Sequence, residues 1–327
     1  MNDIMDSCNQ KKVSILVPCY NVEKYVIQCL QSLQNQTLAE IEVICLNDGS
    51  KDRTLDVIQK TVGSDSRFTI IDKPNSGYGA TMNLGLSKAT GAYVGIVESD
   101  DFVEPNMFKA LYDQAIRDDL DISRCAFNRL INGKIKPDPC SFLPKNRTFS
   151  PKEETNAFLH PPSIWAAIYR RTLLTDNHIQ FLETPGAAYQ DLSFAFKTTL
   201  VAQRIHCVPE PLLNYRIHQD NSVKKGNNPF VVFEELDECI RFAQQHHAED
   251  ILKEVMLAIE YATFKWNYLR LPPDIAHDFM TAWVERWVKH KGYGTKLSLK
   301  HLKSILYYNI ITKLPHQFES YLRGKSK

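Results

Sequence analysis

The sequence predicts an α/β fold: a mixed, mainly parallel sheet flanked by helices, followed by a helical C-terminal region. Three observations carry that expectation. Short apolar runs of strand length alternate with amphipathic stretches through the N-terminal third, the signature of βαβ units. Polar clusters directly follow three of the first four strand patterns, Cys19-Tyr20-Asn21, Asn47-Asp48-Gly49-Ser50 and Glu98-Ser99-Asp100-Asp101. Ligands of open α/β sheets bind at such carboxyl ends, so a crevice is expected there. From about Pro229 the pattern is nearly all helical, broken at Pro272-Pro273.

The elements follow in order. Val13–Val17 is an apolar, β-branched run ended by Pro18, as a buried parallel strand would be. From Val22, apolar Val26, Leu30 and Leu33 mark one helical face. Ile41–Leu46 is a strand stopped by the turn residues after it. A helix over Thr54–Val62, a strand at Phe68–Ile71, a helix over 80–89 and a strand at Tyr93–Val97 come next, then a helix over Asn106–Asp118. Residues 130–160, rich in Pro and polar side chains, read as loops and short strands; Ile164–Leu174 and Leu192–Val201 read as helices. Domains of 1–225 and 226–327 result.

Composition excludes other classes. A 327-residue chain with 24% charged and 43% hydrophobic residues is neither fibrous nor disordered in bulk. A net charge of +1 lacks the global attraction a nucleic-acid binder uses, so no nucleic-acid partner is expected. No run of about 18 apolar residues occurs, and residues 1–12 lack an apolar signal core, so a cytoplasmic chain is expected. The eight cysteines are scattered with no Cys-x-x-Cys pair and read as small hydrophobes in a reducing compartment.

Several residues have the chemistry of a site. Glu98, Asp100 and Asp101 put three carboxylates into four positions, which repel unless a cation or donors compensate. Mg²⁺ or Mn²⁺ with substrate phosphate is one compensation; Asp residues capping the next helix are the other reading. Asn75-Ser76-Gly77-Tyr78-Gly79 invites a dinucleotide loop, but Met82 stands where the third glycine belongs. Tyr20 could stack on a base or be a core tyrosine with a wet tip; Asp48 could accept from a base N–H or merely build a turn. Asp191, after Pro185-Gly186 and at a helix start, is either a cap or a carboxylate facing the crevice to take a proton. The helix N-terminus is expected to keep it ionised and weakly basic.

Taken together, these residues resemble the family 2 glycosyltransferases of the GT-A, Rossmann-like fold over roughly residues 11–225. The resemblance rests on Pro18-Cys19-Tyr20-Asn21, Asp48-Gly49-Ser50, Asn75-Ser76-Gly77, the acidic cluster after an apolar strand, Gln190-Asp191 before a helix, and Tyr215-Arg216-Ile217-His218. It implies an inverting hexosyltransferase working on a UDP-sugar and a glycan or lipid-linked acceptor in bacterial surface-polysaccharide assembly. By that resemblance Pro18, Tyr20, Asn21, Asp48, Asn75, Gly77, Glu98, Ser99 and Asp100 bind the donor, with Tyr20 stacking on the base and Asp48 bonding it. Asp100 would hold a divalent metal (Mn²⁺ or Mg²⁺) with help from His218, and Asp191 would be the base. Three positions depart from the family pattern: Glu98 replaces the commoner Asp, Gln190 the usual Glu, and Met82 an Arg. Rival readings are a sugar-1-phosphate nucleotidyltransferase, whose Gly-rich basic loop is missing from Val13–Asn21, and a silent nucleotide- or glycan-binding module, which needs no base. Trp165 and Tyr189 could line an acceptor side or belong to the core.

Charge is unevenly spread. Residues 289–327 carry nine Lys/Arg and one acid, a segment of +8 against −7 for the rest. Leu299, Leu302, Leu306 and Ile310 fall on one helical stripe beside Lys300 and Lys303. That pattern fits an interfacial helix on anionic lipid, which would put the chain peripherally at the inner membrane face, or equally an ordinary packed helix with a solvated basic face. The helical C-terminal region could also serve as a homodimer surface.

Overall fold

The computed structural model describes residues 11–218, apart from 139, 141, 142 and 145, and residues 228–289. The basic stripe at 299–310 lies outside the described residues. The chain divides into two compact units, residues 1–154 with 160–227, and residues 155–159 with 228–327.

The first unit is built on one mixed sheet. Strands β1 (Val13–Cys19), β2 (Ile41–Asp48), β3 (Phe68–Lys73) and β4 (Tyr93–Ile96) are parallel in the order β3-β2-β1-β4. β1 and β2 are buried almost throughout, as strands covered on both faces must be. The sheet continues through β8 (Ala167–Arg170), β6 (Ile122–Ile131), β9 (Ile205–Ile217) and β5 (Phe102–Val103), with β7 (Lys134–Asp138) paired to β6. β4–β8 and β8–β6 are antiparallel, and β6–β9 is parallel. Helices α1 (Val26–Gln34), α2 (Thr54–Val62), α3 (Tyr78–Lys88), α4 (Met107–Arg117), α5 (Arg171–Asp176) and α6 (Gln190–Val201) complete the unit.

Three sequence expectations are corrected. β1 does not stop at Pro18. Its pairing to β4 ends at Leu16, so Pro18 needs to pair only with β2, and a missing N–H is tolerated there. α1 starts at Val26, four residues late, because the backbone at 21–23 is engaged elsewhere. Asn21 N–H donates to Ser50 Oγ, Val22 N–H to Thr54 Oγ1 and Glu23 N–H to Asp52 Oδ2. Ile164–Leu174 is not one helix: Ile164–Ala166 makes a single 3-10 turn, Ala167–Arg170 is β8, and the helix begins at Arg171. Ile168 and Tyr169 sit between β4 and β6, where pairing on both sides overrides helical periodicity.

The second unit holds α7 (Val231–Gln245), α8 (Glu249–Tyr268) and α9 (Pro273–Lys289), with the short turn Thr155–Leu159. Pro273 opens α9, the first helical position where its missing N–H costs least. Phe233, Phe264, Phe279, Trp283 and Trp287 form its aromatic core. Buried Arg286 donates to Glu260 Oε1 (3.1 Å) and to Asp237. No described helix is long and apolar enough to cross a membrane.

Candidate active site

The carboxyl ends of β1, β2 and β4 and the end of β9 form one rim, and the residues of interest fall on it in two groups. The first is a nest around Asp48, whose residue is 5% exposed. Gly49 at φ +66° turns the chain out of β2 and lets Asn75 approach; a Cβ there would lie 2.6 Å from Asn75 N. Asp48 Oδ1 accepts from Ser76 N–H (2.8 Å) and from the Lys73 ammonium, and Oδ2 from Gly77 N–H (3.0 Å) and Asn75 Nδ2 (3.2 Å). Lys73 also donates to Ser76 Oγ. Four donors thus fix one carboxylate. Tyr20, which follows β1, is 45% exposed, and Asn21 Oδ1 takes Lys51 N–H, lacing the loop after β1 to the loop after β2. Pro18 is buried within β1 and contributes backbone.

Gly79 has a packing role. A Cβ there would sit 1.9 Å from Leu182 O, so only glycine lets the first turn of α3 press against the 182–183 segment. Tyr78 N–H donates to Gly186 O, carrying the chain from the nest to the loop before α6.

The second group is acidic. Glu98 follows β4 and accepts from Tyr78 Oη at 2.7 Å. Burial pushes its carboxyl up to about 8, with Asp100 and Asp191 adding repulsion. Asp101 is fully buried; its Oδ1 takes Arg216 N–H (2.7 Å), while Oδ2 has no partner among the described residues. Burial, then the Asp100 charge, holds its carboxyl well above the ordinary range. Asp100 Oδ2 lies 2.9 Å from His218 Nε2, and the His218 ring stacks on Tyr25 at 4.4 Å. Arg216 Nε donates to Asp100 O and its terminal nitrogen to Gln28 Oε1, with the guanidinium over the Tyr25 ring. Ser99 is buried, with its hydroxyl hydrogen-bonded to the Cys19 thiol.

Asp191 is the second residue of α6, not its cap. The cap position is Tyr189, in the left-handed region at φ 74°. Gln190, where a second carboxylate was absent from the pattern, is buried and donates to Thr184 Oγ1 (2.9 Å), bracing the loop that delivers Asp191. Burial raises the Asp191 carboxyl to about 6, against its own and Leu192's backbone N–H, which lower it. Desolvation therefore outweighs the helix terminus at this carboxylate.

The model of glycosyl transferase family 2 matches residues 14–176, about half of the chain. The chain belongs to this family. The uncharacterized glycosyltransferase EpsJ of Bacillus subtilis is 33% identical over 210 residues, 62% of this chain and 60% of that protein, so the match spans less than two thirds of the relative. Staphylococcus aureus TarS 1-349 in complex with UDP-GlcNAc superposes with a TM-score of 0.71 over 94% of this chain and 92% of that one at 22% identity. A Pyrobaculum calidifontis mannosyltransferase in complex with GDP-Man and Mn²⁺ aligns with a TM-score of 0.53, covering 96% and 86% at 14% identity. These likenesses show the GT-A fold.

The structure brings to the rim four residues to which the sequence alone gives no role in holding donor or metal or as base. Lys73 and Tyr78 hold Asp48 and Glu98, and Arg216 ties Asp100 and Asp101 to β9. The fourth, Asp101, was read only as part of the acidic run. Tyr78 lies inside the Asn75–Gly79 stretch and Arg216 inside Tyr215–His218, so membership of a motif is their available signal. Lys73 had none, because only β2–β3 pairing, Asp48 against Lys73, brings it to Asp48.

Proposed function

We propose that this protein is an inverting glycosyltransferase that moves a hexose from a UDP-sugar to a hydroxyl of a glycan or lipid-linked acceptor, with Asp191 as base. The observation that carries this reading is the pairing on one rim of a carboxylate nest suited to a base edge with the acidic cluster Glu98, Asp100 and Asp101, where burial and neighbouring charge raise Glu98 and Asp101. Uracil offers an N–H flanked by two carbonyls. Asp48 supplies the acceptor for that N–H, and the Lys73 ammonium, on a flexible stem, can move from Asp48 to a base carbonyl. Cytosine has no proton at this nitrogen and would set a lone pair against the carboxylate. Exposed Tyr20 is available to stack on the base. The UDP-GlcNAc held by the TarS neighbour agrees with this donor class.

The residues present fit a divalent cation. Among the described residues no three His, Cys, Asp or Glu converge as a complete cage. Asp100 Oδ2 and His218 Nε2, however, are 2.9 Å apart, close to the roughly 3 Å between adjacent ligands of an octahedral ion at about 2.1 Å. Asp100 and His218 would hold the ion, with diphosphate oxygens completing it. Bound there, it supplies positive charge against the charge growing on the leaving diphosphate. The chain's own part is the rest. Asp191 takes the proton as the acceptor oxygen bonds the anomeric carbon and the carbon–oxygen bond to the diphosphate breaks, releasing UDP. Arg216 and Tyr78 hold the carboxylates on the opposite side in place. Residues 289–327 would bring the enzyme peripherally to anionic lipid at the inner membrane face; equal sedimentation of full-length and 1–288 chains with anionic vesicles would remove that part.

Melting with UDP, GDP, CMP and NAD⁺, each in Mn²⁺ and in EDTA, tests the reading. Ligand at about 100 times its dissociation constant adds ~2.7 kcal/mol, a readable shift. UDP alone, and only with Mn²⁺, is the expected stabiliser. A shift from NAD⁺ only, or from none of the four, overturns it.

A further inference from the structure

The aromatic pair Trp165–Tyr215 is not among the residues assigned to the donor above, yet Tyr215 stands at the end of β9 beside Arg216. The antiparallel register of β4 and β8 ends with Gly95 against Ile168, three residues before Glu98 on one side and three after Trp165 on the other. The 3-10 turn carrying Trp165 packs against β4, β6 and α6, so it lies between the strand that precedes Glu98 and the helix whose second residue is Asp191. Tyr215 comes from β9, one residue before Arg216, and Asp101, Asp100, Asp191 and Glu98 all act on its hydroxyl electrostatically. The two rings stack at 5.0 Å and 7° between planes, and Phe127 meets the indole edge-on at 4.7 Å. Trp165 is half-buried, and Tyr215 and Phe127 are its ring neighbours among the described residues.

We propose that Trp165 is the platform on which a ring-shaped sugar of the acceptor stacks, with Tyr215 and Phe127 fixing the indole's tilt. The chemistry is specific. A pyranose with mostly equatorial hydroxyls has a flat face of polarised C–H groups, which the negative face of an indole attracts. An indole locked by two neighbours loses little side-chain entropy when a sugar lands on it. Stacked there, the sugar is held between the acidic cluster and Asp191, so a hydroxyl on its rim reaches the base. The acceptor class is therefore a pyranoside, not an acyclic polyol. This rests on the transferase reading above, because the platform is assigned to the acceptor and not to the donor.

The test is saturation-transfer NMR on the full chain with methyl β-pyranosides of glucose, galactose and N-acetylglucosamine, with glycerol and ribitol as acyclic controls. UDP binding in Mn²⁺ is read separately by calorimetry. The wild type should show saturation of the C–H groups on one pyranoside face and none for the polyols. Trp165→Ala should weaken pyranoside binding at least ~10-fold, and Trp165→Phe should restore part of it. Equal pyranoside binding by wild type and Trp165→Ala, or none by the wild type, overturns the platform; so does loss of UDP affinity alone in Trp165→Ala. Failure of the wild type to bind UDP counts instead against the donor reading, so the two failures are told apart. Thermal melts of both variants check that the pair's loss has not unfolded the unit.

Discussion

The two halves of the rim differ in how their charges are treated. Around Asp48 the fold supplies more than one carboxylate needs: two backbone N–H groups, an amide and an ammonium. Around Glu98, Asp101 and Asp191 it supplies too little. Burial raises all three, repulsion adds to it at Glu98 and Asp101, and Asp101 Oδ2 lacks a donor among the described residues. The nest is therefore finished before any ligand arrives, while the acidic side, on the function proposed above, would be completed by a cation and substrate. Binding geometry can be preorganised at no cost to the empty fold. Reactive charge has to be stored at some cost to it.

Substitutions on the two sides should thus move stability in opposite directions. The largest effect is on rate: Asp191→Asn should lower kcat by ~10²–10⁴ while UDP binding in Mn²⁺ persists. Its wild-type pH profile should rise through about pH 6 as Asp191 loses its proton. Because the folded-state value lies above the ordinary 3.8, the native chain holds a proton the unfolded chain releases, and stability falls as pH climbs from about 3.8 to 6. Asp191→Asn should accordingly melt higher than wild type at pH 7.5. An inactive variant that melts lower would undo the view of a stored charge. Next in size, Asp48→Ala strands four donors and should cost about 2–3 kcal/mol by denaturant melts, along with UDP-induced stabilisation. If it folds as stably as wild type, the nest is not the prearranged element described here.

Much of this contrast could be read from residue order, and its sign could not. The polar clusters after β1, β2 and β4 were visible because strand ends are local, and Thr54–Val62 was visible because its periodicity agrees with its environment. Ile164–Leu174 misled because its apolar spacing suits a helix, whereas a place between β4 and β6 makes Ala167–Arg170 a strand. β9 went unread, since Pro209 and Pro211 interrupt it and a register shift near Ala126 absorbs them. With β9 went the sight of Arg216 between Asp100 and Gln28. Asp191 was legible as a residue but its electrostatics were not. A helix terminus is a sequence feature that lowers a carboxyl, while the desolvation that overrides it depends on the loop braced by Gln190.

The smallest effect sharpens the comparison most. Glu98→Gln keeps an oxygen to accept from Tyr78 Oη and removes only the charge. Glu98 sits at about 8 in the fold against an ordinary 4.5, so the native chain keeps its proton across that window and loses stability as pH rises through it. In EDTA, wild type and Glu98→Gln should melt together near pH 4.5 and separate progressively toward pH 8.5, the variant higher. Water reaches this half-buried group, so the gap should be about 1–2 kcal/mol, a few degrees in Tm, well under the full shift. Adding Mn²⁺ with UDP should close it, because a cation beside Asp100 favours the ionised Glu98. A gap that is constant with pH would mean that the variant changes packing, and the acidic side would then be no less satisfied than the nest.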